Sequence, residues 1–141
     1  MALPDGFNAQ AEAQLMRDLW SPEIKDNPYL AAMYLFPWGK PNTPLANIHG
    51  PRQWQKDYLL EMADYIAEYR KTGILPPMFK KAVASGRGPG KSALIGMLAV
   101  IFMSTRIGGS FVVTANTEPQ LNTKTMPEIS KWFRMAVNRH W

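Results

Sequence analysis

The chain has 141 residues, 46% of them hydrophobic, no cysteine and a formal net charge of +5. That length holds one modest domain with an ordinary core, and the lack of cysteine excludes disulfides, thiolate metal sites and cysteine nucleophiles. The positive balance favours polyanionic partners. No basic-then-apolar leader opens the sequence and its longest apolar run, residues 93–103, is too short to cross a bilayer, so the expectation is a soluble, cytoplasmic protein with no membrane partner.

Residues 8–20 predict a first helix, with Leu15, Met16, Leu19 and Trp20 on one side and Ser21-Pro22 as its stop. Asn27-Pro28 is a helix start, a capping side chain followed by proline at the first helical position, and the apolar run behind it ends at Pro37. Pro37 opens a proline-rich loop that runs to Pro44. A third helix begins near Pro51 and stops at Gly73; Trp54, Tyr58, Met62, Tyr65, Ile66 and Tyr69 recur at helical spacing and predict its packing stripe. Pro76-Pro77 then leads into a short strand before a glycine-rich loop. Residues 91–104 are apolar nearly all round and predict a buried helix. After a turn at Gly108-Gly109, residues 110–115 read as a second strand, of the continuous kind found inside parallel sheets. Strand, helix and strand at this spacing predict one right-handed βαβ unit. Thr117-Glu118-Pro119-Gln120 reads as a capping box, and Thr125-Met126-Pro127-Glu128 repeats it. A kink or restart is therefore expected at Pro127, with the last helix reaching about Arg139.

The chemistry concentrates in Ala82-Val83-Ala84-Ser85-Gly86-Arg87-Gly88-Pro89-Gly90-Lys91-Ser92, whose order of strand, glycine loop and helix is that of a phosphate-binding P-loop. Ser85, Gly86, Gly88 and Gly90 would form the cradle, Lys91 would reach the β- and γ-phosphates, and the Ser92 hydroxyl would ligate Mg²⁺. The helix start adds a dipole of the right sign. Ser85 stands where the pattern has its first glycine, and Pro89 offers no N–H. Arg87, four residues before Lys91, is either a ligand of a γ-phosphate or a solvated loop arginine. Upstream, Gly50-Pro51-Arg52-Gln53-Trp54-Gln55 places two amides at a helix start, and Gln55, then Gln53, are candidates for contacting a base. After Ser92 the acidic residues are Glu118 and Glu128, both at predicted helix starts, so a Walker B carboxylate is missing. His49 and His140 have no metal-ligand spacing, and no nucleophilic serine motif or aspartate cluster is present. Lys124, Lys131, Arg134 and Arg139 interleave with Trp132 and Trp141, as a solvated helix face or as a track for a phosphate backbone.

In order along the chain, Pro37-Trp38-Gly39, Thr43-Pro44-Leu45, the segment from Gly50 to Gln55, the loop from Ser85 to Ser92, and Val113-Thr114-Ala115-Asn116-Thr117 resemble the N-terminal part of the large terminase subunit of tailed bacteriophages. The resemblance begins at about Asn27 and implies an α/β fold, a partial P-loop NTPase core (RecA/helicase-like) with one βαβ unit, preceded by an N-terminal helical region. Residues 1–75 would be the helical region with the adenine motif, and 76–141 the first half of the ATPase core. The resemblance implies ATP and Mg²⁺ as cofactors, Lys91 as the Walker A lysine, Ser92 as the metal ligand, Arg87 as the arginine that triggers hydrolysis and Gln55 as the adenine-motif glutamine. It places Thr114-Ala115-Asn116 near nucleotide or DNA. Its implied partners are double-stranded phage DNA, a portal protein, a small terminase subunit and further copies in a homo-oligomeric motor, inside a bacterial host cell. The family's Walker B strand, coupling motif and nuclease are not in this sequence, so the expectation is ATP binding without turnover by this chain alone. Two other readings compete: a P-loop NTPase of another, helicase-like class, and a non-catalytic module that docks on a portal or on DNA.

Overall fold

The computed structural model describes residues 8–74, 79–82, 90–106, 108–114 and 117–141. Asparagine opens helix α1 (Ala9–Leu19), where Asn8 Oδ1 accepts from the N–H groups of Gln10 and Ala11 at 2.9 and 3.2 Å. A single turn, α2 (Pro22–Lys25), follows. Asn27 repeats the asparagine cap for α3 (Pro28–Leu35), with Pro28 at the first position, where no N–H is needed. Helix α4 (Gln53–Thr72) ends at Gly73, whose φ of +69° is the left-handed stop that glycine adopts without a Cβ clash.

Helix α5 (Lys91–Thr105) lies at the centre of the core. Its Leu94, Met97, Val100 and Ile101 are buried with Leu19, Ala31, Leu35 and Leu59 from α1, α3 and α4 and with Trp132 from the last helix. One hydrophobic cluster thus draws on both halves of the sequence. The chain closes with α6 (Glu118–Gln120), a π-helical segment at Leu121–Thr125, and α7 (Met126–Met135). Thr117 caps α6 by accepting from Gln120 N at 3.3 Å. The predicted break at Pro127 is met by the π segment, in which Met126 N reaches back to Leu121 O. Proline offers no N–H to the carbonyl four residues back and its ring crowds it, and a widened turn is one way to accommodate that.

Trp132 is the hinge of the α5–α7 contact. Its ring meets Phe36 edge-on at 5.0 Å and Trp38 at 5.8 Å, and its Nε1–H donates to Glu128 Oε1 at 3.0 Å. Burying an indole of this size removes at least about 150 Å² from water, roughly 4 kcal/mol of gross stabilisation. Trp38 is fixed in turn by donating from Nε1 to Ala32 O at 2.9 Å. Asp26 ties the helices together electrostatically, accepting from Arg70 of α4 at 3.0 Å and Arg106 after α5 at 3.5 Å. At the far end, Glu12 of α1 receives His140 at 2.6 Å and the Trp141 indole N–H, while Trp20 stacks on Trp141 at 5.9 Å and donates to Ser104 O at 3.1 Å.

The α/β expectation is overturned. Among the described residues there is no strand and no sheet, so the partial P-loop core with a βαβ unit is not the architecture; the described fold is helical. Residues 110–114, expected as the second strand, have no regular structure, and Val112 is 82% exposed. Parallel strands are held by neighbours on both edges and by cover on both faces. Here α3 and α7 occupy the faces of α5 that a sheet would take, and the segment is left with the contact of Phe111 on Phe102 at 6.1 Å. Of the first strand expected between Pro77 and Ser85, residues 79–82 have no regular structure and 83–84 lie outside the described residues. The stripe read for α4 is also shifted: its fully buried seam is Gln55, Leu59 and Ala63, with Trp54 and Tyr58 half-buried beside it and Tyr69 exposed.

Candidate functional site

The site grows from the first turn of α5. Gly90 caps it with φ +86° and ψ 26°, a left-handed conformation, and its carbonyl accepts the first helical bond from Leu94 N at 3.0 Å. Lys91 and Ser92 are the first two helical residues; Lys91 is half-buried and Ser92 is exposed. A helix start has no internal acceptors for its first-turn N–H groups and carries the positive end of the macrodipole, so this turn suits an anion.

Gln55 sets that turn in place. The side chain is buried, 4% exposed, with Oε1 accepting from Arg52 N at 2.9 Å and Nε2 donating to Gly90 O at 2.8 Å. The first contact is one half of a capping box for α4; an arginine side chain has no acceptor with which to supply the other half. The second joins the starts of α4 and α5, so two positive helix ends, Arg52 and Lys91 lie in one neighbourhood. A Cβ at position 90 would stand 2.7 Å from Gln55 Nε2, so glycine is required there by space as well as by φ.

Of the residues singled out from sequence, Gly90, Lys91, Ser92 and Gln55 are brought together. Gln53 is exposed at the start of α4 and donates to Asp57 Oδ1 at 2.8 Å. Ser85, Gly86, Arg87 and Gly88 lie outside the described residues, as do Ala115 and Asn116. With both ends of its carboxamide engaged, Gln55 retains one N–H for any further partner. Comparison with protein-family models, curated proteins and solved structures gives no match for this chain. The site therefore rests on its own geometry.

A metal finds little ready-made here. Among the described residues no group of three or more His, Asp or Glu side chains is placed to hold a cation. Mg²⁺ commonly arrives on a phosphate and takes only one or two protein oxygens, and the exposed Ser92 hydroxyl fits that lesser part. Glu128, the acidic residue of α7, is committed to Trp132 and stands 4.0 Å from Lys131. Among the described residues no helix is long and apolar enough to cross a membrane. No local pattern predicts the link from Gln55 to Gly90, 35 residues away; the signal for it is that residues 50–55 and the loop to Ser92 belong to the same set of resembling motifs.

Proposed function

We propose that residues 90–92 grip the phosphates of a nucleoside triphosphate, ATP by the resemblance, at the joined starts of α4 and α5. The observation that carries this reading is the Gln55 to Gly90 hydrogen bond of 2.8 Å, which couples two segments picked out independently from the sequence. Such a grip is local, needing a helix start, a glycine and a lysine, and a sheet is not among its requirements. Lys91 would supply a positive charge to the outer phosphates and Ser92 an oxygen for phosphate-borne Mg²⁺. Glu118 and Glu128, the acids after Ser92, sit in the first turns of α6 and α7, where they stabilise helix starts. The chain is thus read as a binder without turnover of its own. The resemblance extends the reading to the motor segment of a large terminase subunit, with double-stranded DNA, a portal protein and a small terminase subunit as partners.

Titration with a fluorescent ATP analogue in the presence of Mg²⁺ tests the grip. Weak binding is expected in the parent chain and none in Lys91→Ala. Equal binding by the two proteins would remove residues 90–92 from the site.

A further inference from the structure

A cleft of about 450 Å³ opens between the loop of residues 37–44 and the end of α7, away from the start of α5. Lys131, Arg134 and Arg139 line it from the α7 side, and Pro37, Pro44 and Met135 give it apolar surface. No carboxylate is among its lining residues. The cations have weak local engagements: Lys131 stands 4.0 Å from Glu128, and Arg134 donates to the Ser130 carbonyl of its own helix at 3.3 Å. Arg139 makes no ion pair among the described residues. The cleft therefore combines three available positive charges with uncovered apolar surface.

We propose that this cleft docks an acidic, amphipathic segment of a partner protein, with carboxylates on Lys131, Arg134 and Arg139 and apolar side chains on Pro37, Pro44 and Met135. The inference does not depend on the nucleotide reading. Charge disfavours a second copy as the natural occupant, because the chain carries 16 basic against 11 acidic residues and Glu12, Asp18, Asp26, Asp57 and Glu61 are already engaged within it. A phosphate backbone would satisfy the three cations but has no apolar group to set against Pro37, Pro44 and Met135 in the same cleft. A bilayer is flat and does not enter a concave cleft. Mixed acidic and apolar side chains match both kinds of surface at once.

The test uses the full chain and a short fluorescent peptide of alternating Glu-Glu and Leu-Leu pairs, followed by anisotropy. Binding should weaken about tenfold in Arg134→Ser/Arg139→Ser, two lost ion pairs at a partly exposed surface, with an unchanged melting curve showing that the variant is folded. A peptide with Gln in place of Glu should lose a similar factor, and one with Ser in place of Leu should weaken binding through the apolar half. Equal affinity for parent and double variant would overturn the proposal. So would a short DNA duplex that displaces the peptide through the same two arginines, or a self-association that those substitutions abolish.

Discussion

Gly96→Ala pits helix propensity against packing, and the geometry decides the sign. In a helix interior alanine is favoured over glycine by roughly 1 kcal/mol. At position 96 the new Cβ would overlap Trp132 Cδ1, lie 3.1 Å from Trp132 Cγ and stand 3.2 Å from the Glu128 carbonyl oxygen. The indole has no room to swing away, held by Phe36, by Trp38 and by its bond to Glu128. Relief requires α5 and α7 to part, and overpacking of this kind costs about 1–3 kcal/mol, to which loosened ring contacts add roughly 0.5–1.5 kcal/mol each. The net expectation is a loss of about 1–5 kcal/mol, or roughly 3–17 °C in Tm for a chain of this size. Far-UV circular dichroism and tryptophan emission should report the same lowered transition. Pairing the change with Trp132→Phe should recover part of the loss, because the two sites share one contact. A rise in Tm for Gly96→Ala alone would mean that the α5–α7 packing described here is wrong.

Gln55→Leu removes two hydrogen bonds at about 1 kcal/mol each, so a thermal melt should show a loss of roughly 2 kcal/mol; Gln55→Glu should be no rescue, since a carboxylate oxygen would face the Gly90 carbonyl. Burial first, and then the Asp18 carboxylate 2.8 Å away, push the Tyr34 phenol up to about 12 from 10.0. A raised value favours the neutral form, so its stabilisation is complete below pH 10 and is lost as pH rises through about 12; tyrosinate absorbance should show one late-titrating group, which Asp18→Asn advances. The hydrogen bond from His140, with help from Trp141, holds the Glu12 carboxyl below its ordinary 4.5, so that clasp is present above pH 4.5 and weakens on further acidification, readable as a change in tryptophan emission that Glu12→Gln removes.

Local chemistry was legible in the sequence. Asn8, Asn27 and Gly73 terminate helices through groups within a few residues of themselves, and those boundaries were found as expected. The apolar helix from Lys91 was equally plain. What failed was whatever depended on distant partners. Residues 110–114 have strand composition, but a strand exists only where neighbours pair with it, and their Val112 stands in solvent. In α4 the aromatic side chains drew the eye, whereas the buried seam is the smaller set Gln55, Leu59 and Ala63. Aromatic rings with polar tips sit well at half-burial, beside a seam rather than in it. Gln55 was picked out as a residue that would read a base, and its link to a carbonyl 35 residues away depends on packing that no local pattern encodes.

The clasp of α1 on the far end of the chain has a consequence for synthesis. Translation delivers α1 first, yet Glu12 waits for a partner 128 residues later and Trp20 for one 84 residues later. At about 5–20 residues per second, roughly 6–26 s separate the emergence of Glu12 from that of His140. Through that interval Trp20 and its neighbours are presented to whatever surrounds the ribosome, so a nascent-chain chaperone has seconds in which to act on α1.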